Sequence, residues 1–295
     1  MELIPAKTIV TRNQTSEWFG SDYTMNIYRG CCHGCIYCDS RSDCYRIEDF
    51  GRVRAKADAL RIIRDDLRRK VKTGVVATGS MSDPYNPFEA KEQLTRHALE
   101  LLDAYGFGAA IATKGTLVTR DTDILQSIRE RAPVLVKLTI TCTSDALAAK
   151  IEPGAPPPSE RFMALEKLAK AGVFCGVLLM PVLPFLEDNE ADVLELLRRA
   201  AACGARFVYP ALGMTMRAGQ REWFYQKLEE YFPGKGLAAR YESRYGGRYY
   251  CAVPQADRLW RSFTAACSRL GLLYQMPEII RAYQQGYAAQ LSLFS

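Results

Sequence analysis

Three cysteines, Cys31, Cys35 and Cys38, stand in the run Tyr28-Arg29-Gly30-Cys31-Cys32-His33-Gly34-Cys35-Ile36-Tyr37-Cys38 with the spacing Cys-x3-Cys-x2-Cys. Thiolates gathered this closely suit the ligation of one iron-sulfur cluster. Three protein ligands on a [4Fe-4S] cubane leave one iron without a donor, and an open iron can bind a small molecule as well as carry electrons. The spacing therefore points to a catalytic cluster. A zinc knuckle that adds His33 or Cys44 is the competing use of the same thiols, since structural zinc sites are closed by four ligands.

The elements that must hold these thiols alternate along the chain. A strand at Tyr23 to Tyr28 precedes the cysteines, and a charged amphipathic stretch runs from Ala55 to Lys72. Strand patterns follow at Gly74 to Thr78, Gly108 to Thr113, Val134 to Thr141, Val173 to Met180 and Arg206 to Tyr209. Helical periodicity separates them at Ala90 to Tyr105, Asp121 to Glu130, Ser159 to Ala171 and Ala191 to Cys203. About six β/α units in series imply an α/β fold with a parallel sheet, which leaves a doubly wound sheet and an incomplete barrel both open.

The cysteine spacing, with an aromatic residue before the last cysteine, resembles the signature of the radical S-adenosylmethionine (SAM) superfamily. The resemblance implies that SAM chelates the open iron and is cleaved by one electron to methionine and a 5'-deoxyadenosyl radical, with Tyr37 helping to seat the adenine. It also implies a partial, open TIM-type barrel with the cluster in the loop after the first strand, and polar residues at the C-terminal strand ends. The second strand ends in Gly79-Ser80-Met81-Ser82-Asp83-Pro84-Tyr85 and the third in Thr113-Lys114-Gly115. Gly79 would allow close backbone approach to a ligand, Ser82 or Asp83 would accept the SAM ammonium, and Lys114 would pair with its carboxylate. Thr139 and Thr141 would meet the ribose, and Glu152 follows shortly after. Each hydroxyl taken alone reads equally well as a cap or turn residue, whereas a lysine between a buried strand and a glycine needs an acidic partner.

A narrower resemblance, over roughly residues 22 to 210, is to the spore photoproduct lyase-like family. It is carried by Asn26-Ile27-Tyr28-Arg29-Gly30-Cys31, Ser82-Asp83-Pro84-Tyr85-Asn86-Pro87-Phe88-Glu89, Ala112-Thr113-Lys114-Gly115 and Ile151-Glu152-Pro153 followed by Ser159-Glu160-Arg161. This resemblance implies a lyase-type enzyme of DNA repair that reverses a thymine photoproduct and regenerates SAM. Two positions depart from the lyase, which has a tyrosine where this chain has Asp39 and a cysteine where it has Ser80. An aspartate relays no radical, and an alcohol O–H is too strong to quench a carbon radical as a thiol does. Cys251 and Cys142 are the thiols that would substitute, unless they are simply buried.

The chain has 295 residues, 48% hydrophobic, with ten cysteines and a net charge of +6. No bilayer-spanning run or signal peptide stands out, so the cysteines read as reduced thiols of a cytoplasmic protein, and the radical SAM resemblance implies an external one-electron reductant of the flavodoxin or ferredoxin kind. The mild positive charge favours a polyanionic partner. The expected organisation is an N-terminal extension over 1–21, the barrel over 22–210, a small mostly helical region over 211–286 closing the open side, and a tail over 287–295. Helical patterns fall at Arg217 to Tyr231, Gln255 to Leu270 and Glu278 to Gln285.

Between the first two lies Arg240-Tyr241-Glu242-Ser243-Arg244-Tyr245-Gly246-Gly247-Arg248-Tyr249-Tyr250-Cys251, where Gly-Gly predicts a two-residue hairpin. Arg240, Arg244, Arg248 and Tyr249 would contact DNA, phosphate pairing with guanidinium and bases stacking on rings. The tail Gln290-Leu291-Ser292-Leu293-Phe294-Ser295 resembles the bacterial sliding-clamp-binding pentapeptide, with Gln290 making polar contacts and Leu291, Leu293 and Phe294 apolar ones. Together these features predict a radical SAM enzyme acting on DNA. The alternatives are one acting on RNA or a small molecule, and a clamp-associated nucleic-acid-binding protein with a structural metal.

Overall fold

Six parallel strands of the computed structural model form one open sheet, in the order they occur in the chain: β1 (Tyr23–Met25), β2 (Val75–Thr78), β3 (Gly108–Thr113), β4 (Val134–Thr139), β5 (Cys175–Leu179) and β6 (Val208–Pro210). The structure describes residues 1–287. A seventh strand, Val10–Arg12, adds antiparallel to β1, and among the described residues no pairing joins it to β6, so the sheet is an open barrel. Sequential parallel strands require helical crossovers. These are α1 (Ala59–Arg68), α2 (Leu94–Ala104), α3 (Thr122–Arg129), α4 (Pro158–Lys170) and α5 (Glu190–Ala202). Asn189 starts α5, its side-chain oxygen accepting from Ala191 N at 2.9 Å.

Strand residues of alternate parity separate two cores. Ile111, Val136, Leu138 and Val177 face the helices, where Leu99, Leu125 and Leu165 meet them. Val75, Ala110, Leu135 and Phe207 face inward and pack with Phe19, Ile279 and Tyr283. The last two belong to α9 (Met276–Gln284), and Tyr283 donates to the Phe19 carbonyl at 2.6 Å. The N-terminal end of the barrel is thus plugged, and the C-terminal end is left for ligands.

The region after β6 does not close the open side as one unit. Helices α6 (Gln220–Tyr231) and α7 (Leu237–Tyr245) pack Phe224, Leu228 and Tyr241 against Ile36 and Tyr37 of the cysteine loop. Helix α8 (Ala256–Leu270) lies on α5, and α9 crosses the plugged end. The expected hairpin is also corrected. Residues 237–245 are helical, with Tyr241 and Tyr245 buried one turn apart, and Gly246 ends the helix at φ 50°. The following strand β8 (Tyr250–Ala252) pairs instead with β7 (Gly213–Thr215). The stretch expected as one strand from Tyr23 to Tyr28 is likewise divided: Tyr28–Arg29 leaves the barrel to join Arg54–Lys56 and Glu2–Ile4 in a separate small sheet.

Candidate active site

The cysteine loop leaves Arg29 and wraps over the C-terminal ends of β2 to β5. Cys31, Cys35 and Cys38 all line one cavity of about 360 Å³, together with Tyr37, Gly79, Ser82, Asp83, Lys114 and Thr139. Burial raises the Cys31 thiol to about 12 and raises Cys35 as well, while the Lys114 cation works the other way at Cys35. Among the described residues no three His, Cys, Asp or Glu side chains converge tightly enough to hold a single ion. Three thiols lining an open cavity would hold a [4Fe-4S] cluster and leave its remaining position to a ligand, whereas a closed zinc knuckle needs a fourth protein donor. His33 takes no part, its ring being buried with Nδ1 3.4 Å from Asp83.

Glu152 lies behind the cavity wall and organises it. One carboxylate oxygen accepts the Tyr37 hydroxyl and lies 3.7 Å from Lys114 Nζ, and the other accepts from Arg161. Arg161 is fully buried and also donates to the Thr139 carbonyl at 2.9 Å and the Pro156 carbonyl at 2.6 Å. Burial alone would neutralise these groups, but Arg161 and Lys114 hold the Glu152 carboxyl below its ordinary range. At Lys114 burial also opposes the charge, and Cys35 and Glu152 outweigh it, raising the ammonium's pKa. A cation is therefore held ready at the cavity wall.

Other expected contacts also have structural partners. Asp83 accepts from Tyr85 N at 2.9 Å, Thr113 Oγ1 at 2.5 Å and Lys114 N at 2.7 Å, so its carboxylate ties the ends of β2 and β3 together. Ser82 donates to the Gly30 carbonyl and pins the cysteine loop. Gly79, at φ 96°, lines the cavity and also passes close to Ala112, since a Cβ there would fall 1.8 Å from that carbonyl oxygen. Thr141 lies off the cavity lining, facing Glu187, whose carboxyl is pushed up to about 8 by burial.

Neither candidate thiol lines the cavity. Cys251 is buried with Sγ 3.3 Å from Met216 Sδ, and Cys142 contacts the Ser144 carbonyl at 3.5 Å. Of the expected DNA contacts, Arg240 and Arg244 lie one turn apart on the exposed face of α7, and Arg248 and Tyr249 on the turn leading into β8. The tail positions Gln290, Leu291, Leu293 and Phe294 lie outside the described residues.

Sequence reasoning missed the residues that join the cysteine loop to the C-terminal region. Asp39 accepts from Tyr45 Oη at 2.9 Å and Thr215 Oγ1 at 3.0 Å, and lies 3.3 Å from Arg217 Nε. Gln220, fully buried, donates to the carbonyls of Tyr37 and Thr215, both at 2.9 Å. Arg217 lies over the rings of Tyr45 and Tyr249 and donates to the Tyr249 hydroxyl at 2.9 Å. Of this group, Asp39, Thr215 and the half-exposed Tyr250 line the cavity. Tyr249 stands among the expected DNA contacts and Asp39 carries a signal in its position directly after the third cysteine, whereas Tyr45, Thr215, Arg217 and Gln220 carry none.

The comparisons agree with this geometry. An uncharacterized protein of Mycobacterium tuberculosis strain H37Rv is 33% identical over 231 residues, 76% of this chain and 67% of the relative. One of Methanocaldococcus jannaschii is 31% identical over 176 residues, 60% of this chain and 66% of the relative. In fold, the chain is similar to a spore photoproduct lyase complexed with dinucleoside spore photoproduct, with a TM-score of 0.64, 15% identity, and coverage of 92% of this chain and 80% of that one. A radical S-adenosylmethionine methyltransferase from Kitasatospora setae gives a TM-score of 0.56 at 10% identity, covering 90% and 58%. The Radical SAM superfamily model matches residues 25–197, a span that holds the three cysteines, Lys114 and Glu152, and the chain belongs to that superfamily.

Proposed function

We propose that this radical SAM enzyme acts on DNA, with a base lesion as its substrate. The observation that carries the reading is a surface of arginine and tyrosine bordering the cavity: Tyr250 lines it, Arg217 reaches the lining residue Asp39 and lies over the rings of Tyr45 and Tyr249, and Arg240, Arg244 and Arg248 are exposed on α7 and the turn into β8. Guanidinium groups pair with phosphate and tyrosine rings stack on bases, and chemistry on a base requires the nucleotide to leave the stack. The fold shared with spore photoproduct lyase supports the same reading.

When bound, the [4Fe-4S] cluster and SAM supply the one-electron cleavage that yields a 5'-deoxyadenosyl radical. The chain's own residues do the positioning. Cys31, Cys35 and Cys38 hold the cluster. Lys114 pairs with the SAM carboxylate, and Tyr37, fixed through Glu152, borders the adenine. Asp83 is already occupied by three donors, so we assign the ammonium to the Gly79–Met81 segment, which also lines the cavity. Thr139 remains for the ribose.

With Cys142 and Cys251 off the cavity lining, and Asp39 held by Tyr45 and Thr215, hydrogen return to the product follows a route other than the lyase's. The tail resemblance extends the proposal to recruitment by a sliding clamp. A truncation ending at Ala289 that still bound the clamp would refute that extension.

The deciding experiment measures 5'-deoxyadenosine from anaerobically reconstituted, reduced protein with SAM, in buffer, with undamaged DNA and with ultraviolet-irradiated DNA. Stimulation by irradiated DNA is expected. Cleavage indifferent to DNA would move the substrate to RNA or a small molecule.

A further inference from the structure

In the small sheet that backs the cysteine loop, Tyr28–Arg29 pairs antiparallel with Arg54–Lys56, and Arg29 stands directly opposite Arg54. Like charges in register across a strand pair are destabilising. Lys56, two residues beyond Arg54, shares its face, and its ammonium is disfavoured by burial and further by Arg29, against the pull of Asp66. Arg46 is exposed beside them, its carbonyl accepting from Arg29 Nη2 at 2.7 Å. Arg54 Nη2 donates to the Glu48 carbonyl at 2.6 Å, and its Nε is buried without a partner.

Among the described residues no carboxylate forms an ion pair with Arg29, Arg46, Arg54 or Lys56. Glu2, the acid on this face, is taken by Arg52 at 2.9 Å. Arg29 and Arg54 donate to carbonyl groups and not to acids, Asp66 acts on Lys56 only from a distance, and Glu2, in register with Arg54, is bound to Arg52, so carboxylates arriving from outside would offset the remaining repulsion.

The position of this patch selects the partner. Arg29 precedes the first ligand cysteine by two residues, which puts their Cα atoms at most about 7.6 Å apart. Cys31 N donates to the Phe50 carbonyl at 2.8 Å, and Gly30 lies so close that a Cβ would fall 2.3 Å from the Arg52 carbonyl oxygen. The sheet and the cluster loop are therefore one packed unit. The tyrosines suited to bases lie elsewhere, Tyr250 on the cavity lining and Tyr45 and Tyr249 beside Arg217, and Tyr28 of this sheet is buried against the core.

We propose that the Arg29, Arg46, Arg54 and Lys56 face docks an acidic one-electron carrier protein, and that the electron enters the cluster through the Arg29–Cys31 segment. The transfer is balanced: the carrier's flavin hydroquinone is oxidised to the semiquinone and the cluster gains one electron. The inference rests on the cluster and is independent of DNA as the substrate.

The test is anaerobic stopped-flow reduction of the cluster-loaded protein by flavodoxin hydroquinone over a range of ionic strength, with neither SAM nor DNA present. The variant is Arg29→Glu with Arg46→Glu. Its rate constant at low salt should fall about tenfold or more and its salt dependence should flatten. Reduction by photoreduced deazaflavin, which this surface does not steer, should stay within about twofold, and duplex affinity should be unchanged. An unaltered flavodoxin rate would overturn the proposal, and so would an equal loss with deazaflavin or a loss confined to DNA binding. Both arginines are exposed, and if the double variant fails to load iron, the Arg29→Gln and Arg46→Gln pair should give a smaller loss in the same direction, an undiminished rate again overturning the proposal.

Discussion

The Tyr37 hydroxyl donates to Glu152, so the aromatic residue beside the third cluster cysteine is fixed by a carboxylate 115 positions further along the chain. The same carboxylate neutralises Arg161 and lies beside Lys114. One buried acid thus sets the orientation of a ring, the charge state of a lysine and the closure of α4 onto β4.

Replacing Glu152 with Gln keeps the shape and removes the charge, leaving Arg161 buried without a counter-ion. Breaking a buried pair in this way costs about 3–5 kcal/mol, measurable by denaturant unfolding of the iron-loaded protein. The sign with pH is also set. The folded carboxyl titrates below its ordinary 4.5, so its contribution is fully present above that value and is lost as pH falls through the depressed one. Wild-type stability should fall more steeply than the variant's below pH 4.5, and parallel curves would show that the pair is not charged.

Lys114→Met should weaken SAM binding about 10- to 100-fold, the worth of one charge-assisted hydrogen bond, while leaving iron content intact. Equilibrium dialysis of SAM against the reconstituted variant reads this directly. Because Arg161 still balances Glu152, stability should change far less than in the Glu152 variant. Unchanged SAM affinity would remove Lys114 from the site.

What could be read in the sequence was local or came by resemblance. Cysteine spacing, period-two strands and the polar residues after β2 and β3 were visible within a few positions of one another. Gly246-Gly247 was misread because glycine marks a helix end as well as a hairpin, and Tyr241 and Tyr245 already carried the helical spacing. The true partner of β8 lies at Gly213–Thr215, which no local pattern announces. Asp83 illustrates the same limit: its residue type fits an ammonium, and its second task, accepting from the turn beside it and from the end of β3, is not announced by any local pattern. Gln220 reaches Tyr37 across 183 positions and carries no motif at all.

Lys137 was hidden for a different reason, since its strand reads as apolar on either side. It points into the barrel, 2% exposed, with Nζ 4.6 Å from the Phe19 ring centre, and burial lowers its pKa from 10.5 to about 7. The unfolded chain therefore binds a proton that the folded one gives up between those values, and this part of the stability rises with pH from about 7 to 10.5. Lys137→Met should be more stable than wild type at pH 7 by a few kcal/mol, with the difference shrinking towards pH 10.5. Thermal unfolding at pH 7 and pH 10 tests this, and a variant destabilised equally at both would mean that the ammonium has a partner worth keeping.

Arg244 and Arg248 test the DNA reading from the protein side. Arg244 is on the exposed face of α7 and Arg248 on the turn before β8, and neither forms an ion pair with an acid among the described residues. Their guanidinium groups are therefore available to phosphates without first breaking an internal bridge. Each phosphate contact contributes a slope of about 0.9 to the dependence of log affinity on log salt. Replacing both with Ala should weaken duplex binding and lower that slope by up to about 1.8, with cluster content and SAM affinity unchanged. Arg217→Ala should act differently, because Arg217 also bridges Asp39 and Tyr249 and its loss loosens the wall that a flipped base would meet. Its cost should appear mainly in DNA-stimulated 5'-deoxyadenosine formation at saturating duplex. If the two variants instead lost binding and stimulation in the same proportion, the separation between phosphate-holding arginines and a base-facing wall would be wrong.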